Sequence, residues 1–228
     1  MQVSGKPGAP YGATTSSAPP GTVSLAWTSL ALIVALVASL GTVALSINLD
    51  VPPVKIGDRE VALTKGLKAC PLCFYQRTFV FGTLGVLLIG LATRARRTGA
   101  VGVMALPLAV AGCAIAGFHV WAEYDGKLEC PKGIADIGTA PQQSAAALGL
   151  ITLLLLIDSF RNTSGGAYGF PTILSALILG GAFAAGCIYT VPPMVTPPSE
   201  VYEKPPDGCR PPNPYKEDKI KEDKVAPQ

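Results

Sequence analysis

The feature that most limits what this chain can fold into is a set of long apolar runs nearly free of charge. The first, Val23 to Ile47, carries no Asp, Glu, Lys or Arg over 25 positions. A helix of that length crosses about 30 Å of hydrocarbon and exceeds the roughly 7 to 15 residues of a secretory h-region. It reads as a retained spanning helix. Further runs follow at 72–91, 100–120, 144–160 and 168–191. Inside lipid a backbone N–H or C=O finds no water, so each run must satisfy its own hydrogen bonds as a helix. No alternation of apolar and polar residues suggests a membrane barrel. The expected fold class is all-α, a polytopic membrane helical bundle.

Composition agrees, with 14% of residues charged against about 25% in soluble domains. The net charge of +3 comes from 18 basic and 15 acidic side chains with no basic block, which sets nucleic acid aside as a partner. Three regions follow. Residues 1–22, rich in Gly, Pro, Ser and Thr, are expected to be a disordered tail. Residues 23–191 form the transmembrane helical domain, and 192–228 a Pro-rich and charged C-terminal tail. Gly180, Gly181, Ala184 and Ala185 in the last span suit the close approach of another helix.

Strict alternation of five spans places the loops 48–69 and 121–143 and the C-terminal tail on one face of the bilayer. Cys70, Cys73, Cys130 and Cys209 therefore share a face. Cys113 and Cys187 lie within spans, where a thiol packs as a small hydrophobe. Charge counting alone leaves the sign of that face open. Arg94, Arg96, Arg97 and Arg161 in the tight turns favour a cytoplasmic location for those turns, but the opposite loops carry six Lys or Arg. The density of the arginines, and the persistence of disulfides in oxidising compartments, set the cysteine face as extracytoplasmic.

Cys70-Pro71-Leu72-Cys73 stands where a polar loop turns into the second span. Two cysteines so spaced can close a small disulfide, and a thiol in that arrangement is often depressed in pKa and redox-active. Zinc uses the same spacing but needs two more ligands at comparable spacing. The single histidine is His119 and the remaining cysteines are scattered, so redox chemistry is expected and a metal is not. His119 and Glu123 lie four residues apart near the end of the third span, on the same side as the CxxC, and could line a cofactor pocket or relay protons.

Extended to Cys70-Pro71-Leu72-Cys73-Phe74-Tyr75-Gln76-Arg77, the motif resembles that of the bacterial DsbB family, which carries C-x-x-C-x-Y-x-R at the head of its second helix. The resemblance covers about residues 23 to 160, a four-helix core, and leaves the fifth span as an addition. It implies a membrane disulfide oxidoreductase that reoxidises a soluble, DsbA-like thioredoxin-fold oxidase and passes the electrons to a membrane quinone, ubiquinone or menaquinone. It further implies a bacterial inner-membrane location with the redox loops facing the periplasm. Cys70 and Cys73 would form the disulfide next to the quinone, with Cys73 nearest to it and donating as a thiolate. Arg77 would assist quinone binding, with Tyr75 and His119 as further residues of that site. Family members hold a second cysteine pair in the second outer loop, whereas this loop has Cys130 alone. The resemblance then suggests a Cys130 to Cys209 shuttle disulfide, the tail folding back over the outer face, beside the alternative that Cys209 is a free or intermolecular thiol in the tail. Two other readings accompany this one: a vitamin K epoxide reductase-like enzyme, whose CxxC heads its last core helix, and a membrane scaffold with a merely structural CxxC.

Overall fold

The structure, a computed structural model, describes residues 24–47, 54–56, 59–61, 66–93, 100–164 and 169–215. The expected disordered tail, the Arg94–Arg97 turn and the charged end of the C-terminal tail lie outside the described residues. Among the described residues five long α-helices form: α1 (Ser24–Ser46), α2 (Pro71–Ala92), α3 (Ala100–Tyr124), α4 (Ala140–Ser164) and α5 (Phe170–Thr190). All five are long and apolar enough to cross a membrane. The chain is thus a multi-pass membrane protein with an all-helical body. A small antiparallel hairpin, β1 (Val54–Ile56) and β2 (Arg59–Val61), lies in the first outer loop.

α3 is the central helix. It packs against α2, α4 and α5, while α1 bridges α2 and α4 on the other side. Alanines explain the close approach: Ala31 and Ala35 on α1 and Ala105 and Ala109 on α3 are fully buried with Leu87, Leu106, Ile151 and Leu155. Residues four apart share a helix face, and small side chains let backbones come together where lipid offers no hydrophobic drive between helices. The outward face of α1 is the converse, with Ile33, Val37 and Leu40 exposed to what would be lipid.

α5 packs along α3 through Ile173, Ala176, Gly180 and Ala184, most closely at Gly180. A Cβ on Gly180 would sit 2.7 Å from the Pro107 carbonyl oxygen and 2.8 Å from Val110 Cβ on α3. Gly180 and Ala184 are buried there, but Gly181 and Ala185 face outward. Two of the four small residues therefore serve the contact.

α3 and α4 both run further into the outer loop than their apolar stretches. Trp121 and Tyr124, read from the sequence as loop residues, belong to the last turn of α3. The helix continues through this turn after its apolar density has dropped, Glu123 being a charged residue in it. Trp121 packs on Phe118 with ring centroids 5.6 Å apart, and the Lys127 ammonium lies 4.5 Å from the Trp121 ring.

Candidate active site

The CxxC is set by the start of α2. Pro71 occupies the first helical turn, where its missing N–H costs nothing, and Cys70 is the N-cap, its backbone extended at φ −69 and ψ 163. Its sulfur accepts the Cys73 N–H at 3.2 Å. The Cys73 Sγ lies 2.8 Å from the Cys70 Sγ, and neither is in a disulfide. A sulfur at the positive end of a helix holds negative charge well. The Cys70 thiol is lowered to about 5, first by the hydrogen bond from Cys73 and then by His119, against the opposing effect of burial. The Cys73 backbone N–H adds to the stabilisation of the Cys70 thiolate.

His119 occupies the space between the two cysteine pairs. It is wholly buried. Its Nε2 is 3.9 Å from the Cys70 Sγ and 3.5 Å from the Cys130 Sγ, and its Nδ1 is 3.1 Å from the amide nitrogen of buried Gln76. Gln76 comes three residues after Cys73, on the same face of α2. Both ring nitrogens are therefore engaged inside the sulfur cluster. Glu123 is separate: its carboxylate accepts a hydrogen bond from the Thr139 hydroxyl at 2.8 Å.

The outer pair is built from segments far apart in sequence. A disulfide joins Cys130 to Cys209 across a separation of 79 residues. On the loop side, the Gln143 side chain accepts the Ile134 N–H and donates to the Ile134 and Ile137 carbonyls, each at 2.8 Å. Gly138, with φ of 68, makes a left-handed bend at which other residues would be strained. On the tail side, Glu129 and Arg210 exchange backbone hydrogen bonds of 2.8 and 3.0 Å. The Arg210 guanidinium bonds Glu129 at 3.2 Å and the Val201 and Lys204 carbonyls at 2.7 and 3.3 Å, lying 4.6 Å from the Tyr202 ring centre. Lys68 of the first loop donates its N–H to the Asp207 carbonyl at 2.6 Å and pairs with the Asp207 carboxylate at 2.8 Å. The tail from Val191 to Tyr215 is thus held across the outer face by both outer loops.

Sulfurs 70, 73 and 209 and a His119 ring nitrogen all lie within 4.8 Å of one another. A groove of about 580 Å³ opens beside Cys130, lined by Leu67, Glu129, Lys132, Asp136 and Asp207 among others. A smaller cleft of about 280 Å³ runs along Cys70, Pro71, Met194 and Cys209. Arg77 is half-buried one turn beyond Cys73 and within electrostatic reach of it. Among the described residues no carboxylate pairs with Arg77. Tyr75 is half-buried in the apolar cluster around Cys70, edge-on to an exposed Phe74 at 6.2 Å.

Gln76, Gln143 and Arg210 went unassigned from sequence. Gln76 did carry a signal, since a polar residue inside a span marks a functional position. Arg210 carried none, its role depending on where the tail lands. Cys113 packs in an apolar cluster with Val80, Ala116 and Leu148, whereas Cys187 packs in the cluster around Cys70.

Helical spans and a four-cysteine rim define a membrane thiol-disulfide protein. Residues 61–149 match the family described as disulfide bond formation protein DsbB, so this stretch of the chain is similar to that family. The matched stretch holds the CxxC, α3 and Cys130, while α5 and Cys209 fall outside it. No curated protein and no solved structure matches the chain.

Proposed function

We propose that the protein oxidises the dithiol of a soluble thioredoxin-fold partner on the extracytoplasmic side of a bacterial inner membrane and delivers the electrons through Cys70 and Cys73 to a membrane quinone. The observation that carries this reading is the meeting of two cysteine pairs around one imidazole, with the sulfurs of Cys70, Cys73 and Cys209 mutually within 4.8 Å. Thiol-disulfide exchange needs such contact, because a thiolate must reach the sulfur it attacks.

A partner thiolate entering the groove attacks Cys130, forming a mixed disulfide and releasing Cys209 as a thiolate. The second partner thiol then breaks the mixed disulfide, leaving the partner oxidised and both outer cysteines reduced. Cys209 attacks Cys70 of the oxidised inner pair, and Cys73 leaves as a thiolate. Cys130 resolves the Cys70–Cys209 bond, which restores the outer disulfide and leaves the inner pair with two electrons. His119 touches both pairs and moves the proton between them. Arg77, one turn below Cys73, is the cation placed to hold the departing Cys73 anion.

The residues present fit a quinone. Cys73 lies in the first turn of an apolar helix, Arg77 is free of carboxylate partners among the described residues, and Phe74 is 61% exposed beside them. A bound quinone accepts two electrons and two protons and so returns the inner pair to the disulfide. Cys73, Arg77, Tyr75 and Phe74 would hold it. His119, engaged at both nitrogens within the sulfur cluster, acts between the pairs.

The test is quinone-dependent oxidation of a reduced thioredoxin-fold substrate by purified protein. Cys73→Ser is expected to bring turnover to background. A partner variant lacking its second cysteine is expected to be trapped on Cys130 of the otherwise intact protein as a mixed disulfide, with Cys209 released as a free thiol, seen by mass mapping. Unchanged turnover in Cys73→Ser overturns the proposal.

A further inference from the structure

The same cluster, in a state the electron relay does not use, has the donor set of a zinc centre. The CxxC alone lacked two ligands, and folding supplies them from elsewhere in the chain: His119 from α3 and Cys209 from the tail. We propose that the fully reduced protein binds one zinc-class divalent cation through the sulfurs of Cys70, Cys73 and Cys209 and Nε2 of His119.

Three thiolates and one imidazole are a common structural zinc set, with bonds of about 2.3 Å to sulfur and about 2.0 Å to nitrogen. Tetrahedral geometry then spaces sulfurs about 3.8 Å apart and sulfur from nitrogen about 3.5 Å. The Nε2 to Cys70 distance is already 3.9 Å. The Cys70 and Cys73 sulfurs, now 2.8 Å apart, must open by about 1 Å to match that spacing, a side-chain rotation at the helix head. The site is sheltered, as Cys70 is 7% exposed and His119 fully buried.

Gln76 is the independent observation that points to a ligand. A metal-bound histidine nearly always donates its other ring N–H to an oxygen that fixes the ring. The Gln76 amide lies 3.1 Å from Nδ1, and an amide carries both a donor and an acceptor. With its nitrogen toward Nδ1 it leaves a proton on Nε2, the form used in proton transfer. Turned over, its oxygen takes the Nδ1 proton and frees the Nε2 lone pair for a metal.

The balance is simple. Four electrons from two equivalents of dithiol reduce both disulfides, and binding of the cation displaces the protons still held by the three thiols. The metal itself changes no oxidation state. With Cys70, Cys73 and Cys209 coordinated, neither the inner nor the outer disulfide can re-form, so the cation acts as a brake on a chain starved of electron acceptor. This site stands apart from the quinone reading and needs no quinone.

The experiment titrates Co²⁺, then Zn²⁺, into the full chain in detergent, reduced by a phosphine and free of quinone. One Co²⁺ per chain is expected, with the visible bands of tetrahedral thiolate coordination, displaced by Zn²⁺. Oxidised protein, Cys70→Ser and Cys209→Ser are expected to lose the bands, and Cys130→Ser to keep them. Gln76→Ala is expected to weaken affinity about 10- to 100-fold, a change that does not depend on losing a ligand. Binding that survives oxidation or either ligand substitution, or the absence of a one-to-one complex, overturns the proposal.

Discussion

The two cysteine pairs reach the same rim by opposite routes. Cys70 and Cys73 are three residues apart and are positioned by one helix end, whose geometry supplies the N–H that steadies the Cys70 sulfur. Cys130 and Cys209 are 79 residues apart and rest on loops held by side chains such as Gln143 and Arg210. A pair on a rigid helix suits a fixed electron acceptor. A pair on loops, beside an open groove, suits a visiting protein that must enter and leave. His119 lies within 4 Å of a sulfur from each pair.

The sharpest way to break this comparison is to remove the link. His119→Ala is expected to slow exchange between the pairs by about 10²- to 10⁴-fold, the usual worth of a positioned acid-base group. Alkylation quench at millisecond times would read it, with reduction of Cys130–Cys209 by the partner persisting. An unchanged transfer rate removes the imidazole from the relay.

The helix-borne pair is next. A thiol lowered to about 5 stays ionised above that pH and loses its charge only as pH falls through it. At pH 7 it is almost fully thiolate, whereas an ordinary cysteine near 8.5 is about 3% thiolate, a difference of roughly 30-fold. Thiolate absorbance of the reduced chain against pH should show this early step. Cys73→Ala should move it upward, because the hydrogen bond from Cys73 is the largest cause.

The loop-borne pair should yield to Arg210. Its side chain is 11% exposed and holds Glu129 and two carbonyls. Arg210→Ala is expected to cost tail docking about 1 kcal/mol, roughly fivefold in opening, seen as faster hydrogen exchange over 199–211 and faster reduction of Cys130–Cys209. Asp207 gives the smallest effect. Lys68 holds its carboxyl below the usual range, so its contribution is present above about pH 4 and lost as pH falls below that. The pair is well exposed. Asp207→Asn should therefore loosen the tail less than Arg210→Ala, with an effect that fades in about 1 M salt.

Legibility followed the same divide. The spans could be read because burial in lipid demands about 20 apolar residues in a row, and α1, α2 and α5 carry that demand in their own composition. The CxxC at the head of α2 could be read because Pro71 and the onset of the apolar run mark a helix start locally. The extra turns of α3 and α4 escaped, since 121–124 and 140–143 mix polar with apolar residues and leave no apolar signature. Gln143 and Arg210 escaped because each acts on a partner chosen only by the fold.

Sequence alone determined the number of crossings and, by their alternation, which cysteines meet on one face, because the bilayer permits little else to a charge-free run. Only the tertiary structure decided that His119 stands between the two pairs, that Gln76 holds its ring, and that the tail returns to lay Cys209 against Cys70. Those are long-range contacts, fixed by packing of α3 against α2 and by hydrogen bonds between loops, and no local pattern encodes them.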